Sequence, residues 1–305
     1  MTDPLLTIFT APKPFTNPHI SIIQHNALTS WVNLGSRVEV LLIGEEKGIG
    51  EVSETYGIRQ IPDVRRNECG TPFISSMFAL ARRESSSPFL AIINADILLF
   101  PEMILALETV AHKFPEFLIV GQRWDLEIQE RLSFSKNFYA SLQQNVKKMG
   151  RLHSPTGSDY FIFPRACFLD IPDFAIGRAG WDNWMFFKSR WEGWPLIDAS
   201  QDVMVIHQQH DYSHLANGQP HYHLPETSEN VRLAGGEITI FTLLDANYTL
   251  KSNQIIRPNL SWRKFWREVE IFPLSSIHSR FLGWIFYFMF HPIKSYQRFR
   301  VWLRR

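Results

Sequence analysis

Cysteine is scarce in this chain: Cys69 and Cys167 lie far apart and form no CxxC pair. That excludes a disulfide framework and a cysteine-rich zinc cluster, and points to a reducing compartment. Long apolar runs are missing as well; none reaches the roughly 18 residues of a membrane span. The opening MTDPLL has no basic stretch leading into an apolar core, so nothing there reads as a secretory signal. Net charge is +1 over 305 residues, which gives no global field to select nucleic acid or an acidic partner. Two phosphate-binding signatures are absent too. Gly44, Gly48 and Gly50 do not fall on GxGxxG, and no GxxxxGK[ST] occurs, so the common NAD and ATP loops are excluded. No internal repeat is visible.

Aromatic side chains, in contrast, are plentiful. They make up 14% of the chain, with ten Trp, many in the second half, a composition suited to stacking on sugars or bases.

The first 120 residues alternate between strand and helix patterns. Residues 5–10 (LLTIFT), 38–43 (VEVLLI), 58–61, the start of 89–99 and 117–120 read as strands. Helical spacing covers 19–34, 51–56, 101–113 and a segment to about Arg83 that opens on Thr71 as N-cap with Pro72 behind it. Such alternation predicts a doubly wound α/β fold, a mostly parallel sheet with helices on both faces. Asp125 to about Met149 reads as a further helix. Two short strands are expected within 157–164 and 203–206, with an aromatic segment, Ile176–Trp194, between them.

The chain is organised around Ala91–Phe100, AIINADILLF. An apolar strand delivers Asn94 and Asp96 at its carboxyl end, where open α/β sheets place ligands. A carboxylate there suits a hard cation that also holds phosphate oxygens, and equally suits a plain turn cap before the helix at Pro101. The segment HQQHDYSH brings His207, His210, Asp211 and His214 to the end of another strand, as metal ligands, acid/base groups or a polar loop. In GWDNW, Asp182 stands among large aromatics, the setting of a general base with a raised pKa, and also fits the cap of a helix. Trp181 and Trp184 are candidates to stack on a pyranose, with Asn183 beside them. Arg65 precedes the Thr71 helix, where a guanidinium and a helix N-terminus suit a diphosphate, or form a solvated charge run.

In their order, FTAPKPF, LLIGEE, RNECGTP, INADI, GRAGWDNW and VIHQQHDYSH resemble a nucleotide-diphospho-sugar transferase, a glycosyltransferase of the GT-A fold (family 2-like), over residues 5–215. The resemblance implies that the family's DxD element falls on Asn94-Ala95-Asp96, with Asn in place of the first carboxylate. It implies Mn²⁺ or Mg²⁺ on Asp96, with His207 or His210 as a further ligand, bridging the diphosphate of a nucleotide-diphosphate sugar. Thr10, Ala11 and Glu45 would lie near the nucleoside, with Arg65, Thr71 and Asn94 also on the donor side. Asp182 would be the base acting on an acceptor hydroxyl, and Trp181, Asn183, Trp184, Asp211 and His214 would line the acceptor site. The expected layout is a GT-A-like catalytic domain over 1–245, with its donor half in 1–120 and acceptor half in 121–245. A competing reading on the same fold is a catalytically weak sugar-nucleotide or glycan-binding protein, for which Asn94 speaks.

After residue 245 the pattern turns aromatic and basic, in SWRKFWRE and then FLGWIFYFMF, and no acidic residue follows Arg280. This 246–305 tail suits an interfacial helix with a basic collar, or a helix packed on the core or on a second subunit. The first option predicts a cytoplasmic protein, peripheral on the inner face of a membrane, with an anionic surface met through 280–305. The acceptor would then be a glycan or a lipid-linked molecule.

Overall fold

The structure is a computed structural model that describes residues 3–210 and 224–293. Its strands are β1 (Leu6–Thr10), β2 (Val38–Ile43), β3 (Arg59–Ile61), β4 (Phe89–Ile93), β5 (Ile97–Leu99), β6 (Leu118–Val120), β7 (Trp124–Leu126), β8 (Arg151–Leu152), β9 (Tyr160–Pro164), β10 (Leu196–Asp198), β11 (Val205–Gln208), β12 (Tyr248–Lys251) and β13 (Gln254–Ile256). The helices are α1 (Pro18–Val32), α2 (Ile49–Tyr56), α3 (Ile74–Glu84), α4 (Glu102–Lys113), α5 (Phe138–Met149), α6 (Trp181–Trp191), α7 (Pro225–Ala234), α8 (Trp262–Ser275) and α9 (Arg280–Phe290).

The large sheet has nine strands in the order β13-β12-β10-β6-β9-β4-β1-β2-β3. It is parallel except for β9, which runs against β4 and β6, and β13 at the edge. The whole of β1 and the apolar ends of β2 and β4 are buried on both sides, as strands covered by helices on both faces must be. On one face Trp31 of α1, Val52 of α2 and Leu107 of α4 join Ile8, Leu42 and Ala91. On the other, Phe78 of α3 and Phe187 of α6 join Phe9, Leu41 and Phe163, with Leu274 of α8 and Tyr287 of α9 behind them. The α/β fold with helices on both faces is therefore present as the alternation predicts.

A second sheet, β5-β11-β7-β8, sits under α5, with Phe100, Leu126, Val146 and Ile206 in its core. It forms because the chain turns at Asn94-Ala95-Asp96: β4 stays in the large sheet while β5, three residues on, leaves it and pairs antiparallel with β11.

Three sequence expectations need correction. The segment from Asp125 is not helical: Trp124–Leu126 is a strand, because Asp125 stands in register with His207, and α5 begins only at Phe138. Thr71 does not cap α3. Pairing of Pro72 with Arg66 and of Phe73 with Ala175 keeps the backbone extended up to Phe73, so the helix starts at Ile74. The sheet also continues past residue 245, since β12 pairs parallel to β10 and β13 closes the edge. Only then do α8 and α9 follow. No helix among the described residues is long and apolar enough to cross a membrane.

Candidate metal and acid/base site

Four strand ends converge at the carboxyl edge of the large sheet. β4 ends at Ile93 and presents Asn94 and Asp96; β6 ends at Val120 and leads to Arg123; β11 carries His207 and leads to His210. β9 is antiparallel, so the residue before it, Asp159, arrives at the same edge, and its carbonyl accepts from the Asn94 amide at 3.0 Å.

Asp96 Oδ2 lies 3.1 Å from His210 Nε2 and 3.8 Å from His207 Nε2, and the three ligand atoms available on these residues fall within 4.8 Å of one another. All three side chains are mostly buried. Asp96 Oδ1 is buried too and has no hydrogen-bond partner. An orphaned carboxylate oxygen beside two imidazoles is costly unless something cationic fills the space. The donor set, two nitrogens with carboxylate oxygen, therefore fits a divalent cation.

A second layer orients these groups. His207 Nδ1 donates to Asp125 Oδ1 at 3.1 Å, and His153 Nδ1 donates to Asp125 Oδ2 at 2.8 Å. With its Nδ1 proton committed to Asp125, His207 faces Asp96 with a positive charge when Nε2 is also protonated, and when neutral it leaves the Nε2 lone pair for a cation. Arg123 bridges Asp125, at 3.0 Å, and Asp159, and Asp159 Oδ1 accepts from Asn94 Nδ2 at 2.7 Å. Lys13 Nζ lies 3.3 Å from His210 Nε2. Burial works against ionisation of Asp96, but the charge of His207, the hydrogen bond from His210 and the charge of Lys13 hold its carboxyl well below the usual range. Burial likewise opposes charging His207, yet the Asp125 hydrogen bond and the Asp96 charge prevail and raise its pKa.

Asp182 behaves in the opposite way. It lies in the first turn of α6, where Oδ1 accepts from the Gly180 amide at 3.1 Å. Burial pushes its carboxyl up to about 6, with the nearby Asp159 charge adding to the rise and backbone amides opposing it. It is thus both a helix-terminus acceptor and a carboxylate that takes up a proton near neutral pH, and its field is coupled to the metal-site network through Asp159.

Other expected residues are placed differently. Trp181 and Trp184 are 6% and 4% exposed and pack on Phe161 and Phe174, so they are core side chains and offer no sugar platform. Asn183 Nδ2 is spent on the Phe241 carbonyl at 2.7 Å. Arg65 pairs with Asp173 at 2.8 Å on the surface, and Thr71 hydrogen-bonds Glu226, so neither joins the Asp96 cluster. Asn94 holds Asp159 and is not in the ligand set. Thr10 is buried at the end of β1, with Ala11 half-buried behind it. Glu45 is exposed; its neighbour Glu46 turns inward to Arg66 at 2.7 Å. Asp211 and His214 lie outside the described residues.

Asp125, His153, Asp159, Arg123 and Lys13 escaped the sequence reading. Asp159 had a signal: in GSDYFIFP it directly precedes the strand, and the start of an antiparallel strand lies at the carboxyl edge of its parallel neighbours.

No family model matches the sequence, and no curated protein matches it. In structure the chain is similar to proteins solved with a nucleotide or a nucleotide sugar bound. One is residues 1–349 of TarS from S. aureus, in complex with UDP-GlcNAc: 10% identity, 75% of this chain and 65% of that one covered, TM-score 0.45. Another is the mannosyltransferase PcManGT from Pyrobaculum calidifontis with GDP-Man and Mn²⁺: 15%, 67% and 57% covered, TM-score 0.41. A third is glucosyl-3-phosphoglycerate synthase from Mycobacterium tuberculosis with Mn²⁺, UDP and glucosyl-3-phosphoglycerate: 11%, 85% and 88% covered, TM-score 0.45. The chain spans less than two thirds of the first two.

Proposed function

We propose that this protein is a metal-dependent glycosyltransferase that moves a sugar from a nucleotide-diphosphate donor to a hydroxyl of a glycan or lipid-linked acceptor. The observation that carries the reading is the buried Asp96–His207–His210 triad with its unpartnered Asp96 oxygen, set at the carboxyl edge of a parallel sheet. Asp96, His207 and His210 would hold the cation, with Asp125 and His153 fixing the His207 ring. When bound, a divalent cation neutralises charge that builds on a departing diphosphate. The chain's own contribution is to orient and to move a proton. Asp182, whose pKa lies close to neutral, is ionised at pH 7 to 8 and suited to accept the proton of an acceptor hydroxyl. Thr10, Ala11 and the Glu45–Glu46 turn, at the ends of β1 and β2, would border the nucleoside.

Calorimetric titration of UDP and GDP, each with and without Mn²⁺, tests the donor site. Binding of one nucleotide only with metal is expected, and Asp96→Ala should lower that affinity at least about tenfold, as loss of a metal contact does. Binding of neither nucleotide would overturn the reading. Tight metal-dependent binding without any transfer would favour the alternative, a sugar-nucleotide-binding protein on this fold.

A further inference from the structure

Helices α8 and α9 carry their apolar stripes on the wrong side for a core. In α8, Trp262, Phe265 and Trp266 follow helical i, i+3, i+4 spacing and are exposed; in α9, Phe281, Ile285 and Phe288 follow i, i+4, i+7 spacing and are exposed as well. Trp262 and Phe281 are 74% and 75% exposed. Of the 19 large apolar side chains exposed among the described residues, 11 lie in residues 260–293. A helix normally turns such a stripe inward, and a concentrated exposed patch marks an interaction surface.

The opposite faces of both helices are tied to the body, so the stripes cannot simply rotate inward. Arg267 of α8 grips the buried Asp245 at 2.7 Å, and Glu268 meets Arg190 of α6 at 2.8 Å. In α9, Tyr287 donates to Glu237, and Gly283 lies so close on Leu274 that a Cβ there would meet it at 2.5 Å. The two stripes also adjoin, since the rings of Trp266 and Phe290 are 6.0 Å apart.

Charge identifies the partner. From Arg257 to the end, the sequence holds ten Lys and Arg but only two acidic residues, Glu268 and Glu270. Both meet basic partners on the inward side: Glu268 pairs with Arg190 and Lys264, and Glu270 with Arg267, with His291 Nε2 2.8 Å from it. Five of the ten basic residues fall in the last twelve positions, immediately after the apolar face. The stretch that carries this face holds ten basic residues against two acidic ones, and such an excess of one sign opposes pairing with a second copy of itself. Anionic headgroups meet both requirements at once, with aromatic side chains at headgroup depth and basic ones against the surface charge. At 11 residues, or about 16 Å, α9 is too short to cross a bilayer. We propose that the outward faces of α8 and α9 form a docking surface that seats the protein on an anionic membrane.

The inference does not depend on the donor-site reading, and its test uses no nucleotide. Full-length protein is co-sedimented with vesicles of phosphatidylcholine alone and with a third of the lipid replaced by phosphatidylglycerol, at low and high salt. Binding to the anionic vesicles is expected, weaker at high salt. The double substitution W262E/F281E should lower partitioning about tenfold or more. It should leave the unfolding temperature unchanged, because both side chains already face water. No binding to anionic vesicles, or binding that the double substitution leaves intact, would overturn the proposal. So would a dimer in light scattering that the same substitutions split, in a protein that ignores vesicles.

Discussion

Replacing Asp182 with Asn is expected to make the protein more stable at neutral pH while removing transfer. Burial raises this carboxyl from 3.8 to about 6. The folded state thus holds the proton more tightly than the unfolded chain, and ionising Asp182 costs stability. That cost is complete above pH 6 and disappears below the ordinary value of 3.8. A rise of this size corresponds to about 3 kcal/mol. Asn cannot ionise, yet its side-chain oxygen can still accept from the Gly180 amide, so the local helix start is retained. The variant should therefore gain up to about 3 kcal/mol at pH 7.5 but only about 0.5 kcal/mol at pH 4. For a chain of this length the larger figure corresponds to about 5 °C in Tm. Thermal unfolding of both proteins at the two pH values, without metal or nucleotide, reads the difference directly. Equal unfolding temperatures at pH 7.5, or the same gap at both pH values, would refute the reasoning. Transfer by the wild type should fall about tenfold per pH unit below 6, as required of a base that must be ionised. Normal transfer by the Asn variant would remove Asp182 from that role.

Two further substitutions probe the frame of the site. Asn94→Asp would set a second carboxylate against Asp159 Oδ1, which now accepts from Asn94 Nδ2. A loss of about 1–3 kcal/mol is expected in thermal unfolding, with no gain in Mn²⁺ affinity; unchanged stability with tighter Mn²⁺ binding would make position 94 a ligand seat. At Gly121, just past β6, a Cβ would come within 2.4 Å of the buried Tyr160 hydroxyl and 3.1 Å of the Ser200 amide. Gly121→Ala should cost about 1–3 kcal/mol in denaturant unfolding, and an unchanged midpoint would mean that β6 and β9 can part there without strain.

The central elements were legible because local pattern and tertiary demand agree in them. β1, β2 and β4 are short apolar runs, and α1 combines an Asn17 cap, whose Oδ1 accepts from the His19 and Ile20 amides, with Ile20, Ile23, Ala27 and Trp31 on its buried side. Where sequence reading failed, a distant segment overrode local preference. Trp124–Leu126 is a strand because β11 and β8 lie on either side of it, and Thr71 lost its cap role to the pairing of Phe73 with Ala175. Trp181 and Trp184 misled for a different reason. Four Trp in a short run look like a sugar-binding wall, but the space between α6 and the sheet is lined with Phe161, Phe168 and Phe174, and large rings are what fill it.

At the site itself, Asp96 and the two imidazoles were visible because strand ends are visible, whereas their supports come from residues with no motif. The supports decide the electrostatics. Asp96, Asp125 and Asp159 set three negative charges against the positive charges of Arg123 and Lys13, so with neutral imidazoles the cluster carries a net charge of −1. Asp125 and Asp159 are each engaged through both carboxylate oxygens, by His207, His153 and Arg123 in one case and by Asn94 and Arg123 in the other. The unmet demand is thereby concentrated on Asp96 Oδ1, the one oxygen of the three carboxylates that is buried without a partner. A divalent cation at that point would turn −1 into +1 and give the edge of the sheet the sign that a diphosphate needs. Asn94 fits the same logic: a carboxylate there would face Asp159, already balanced by Arg123, and would return the surplus negative charge that the arrangement has removed everywhere but at Asp96.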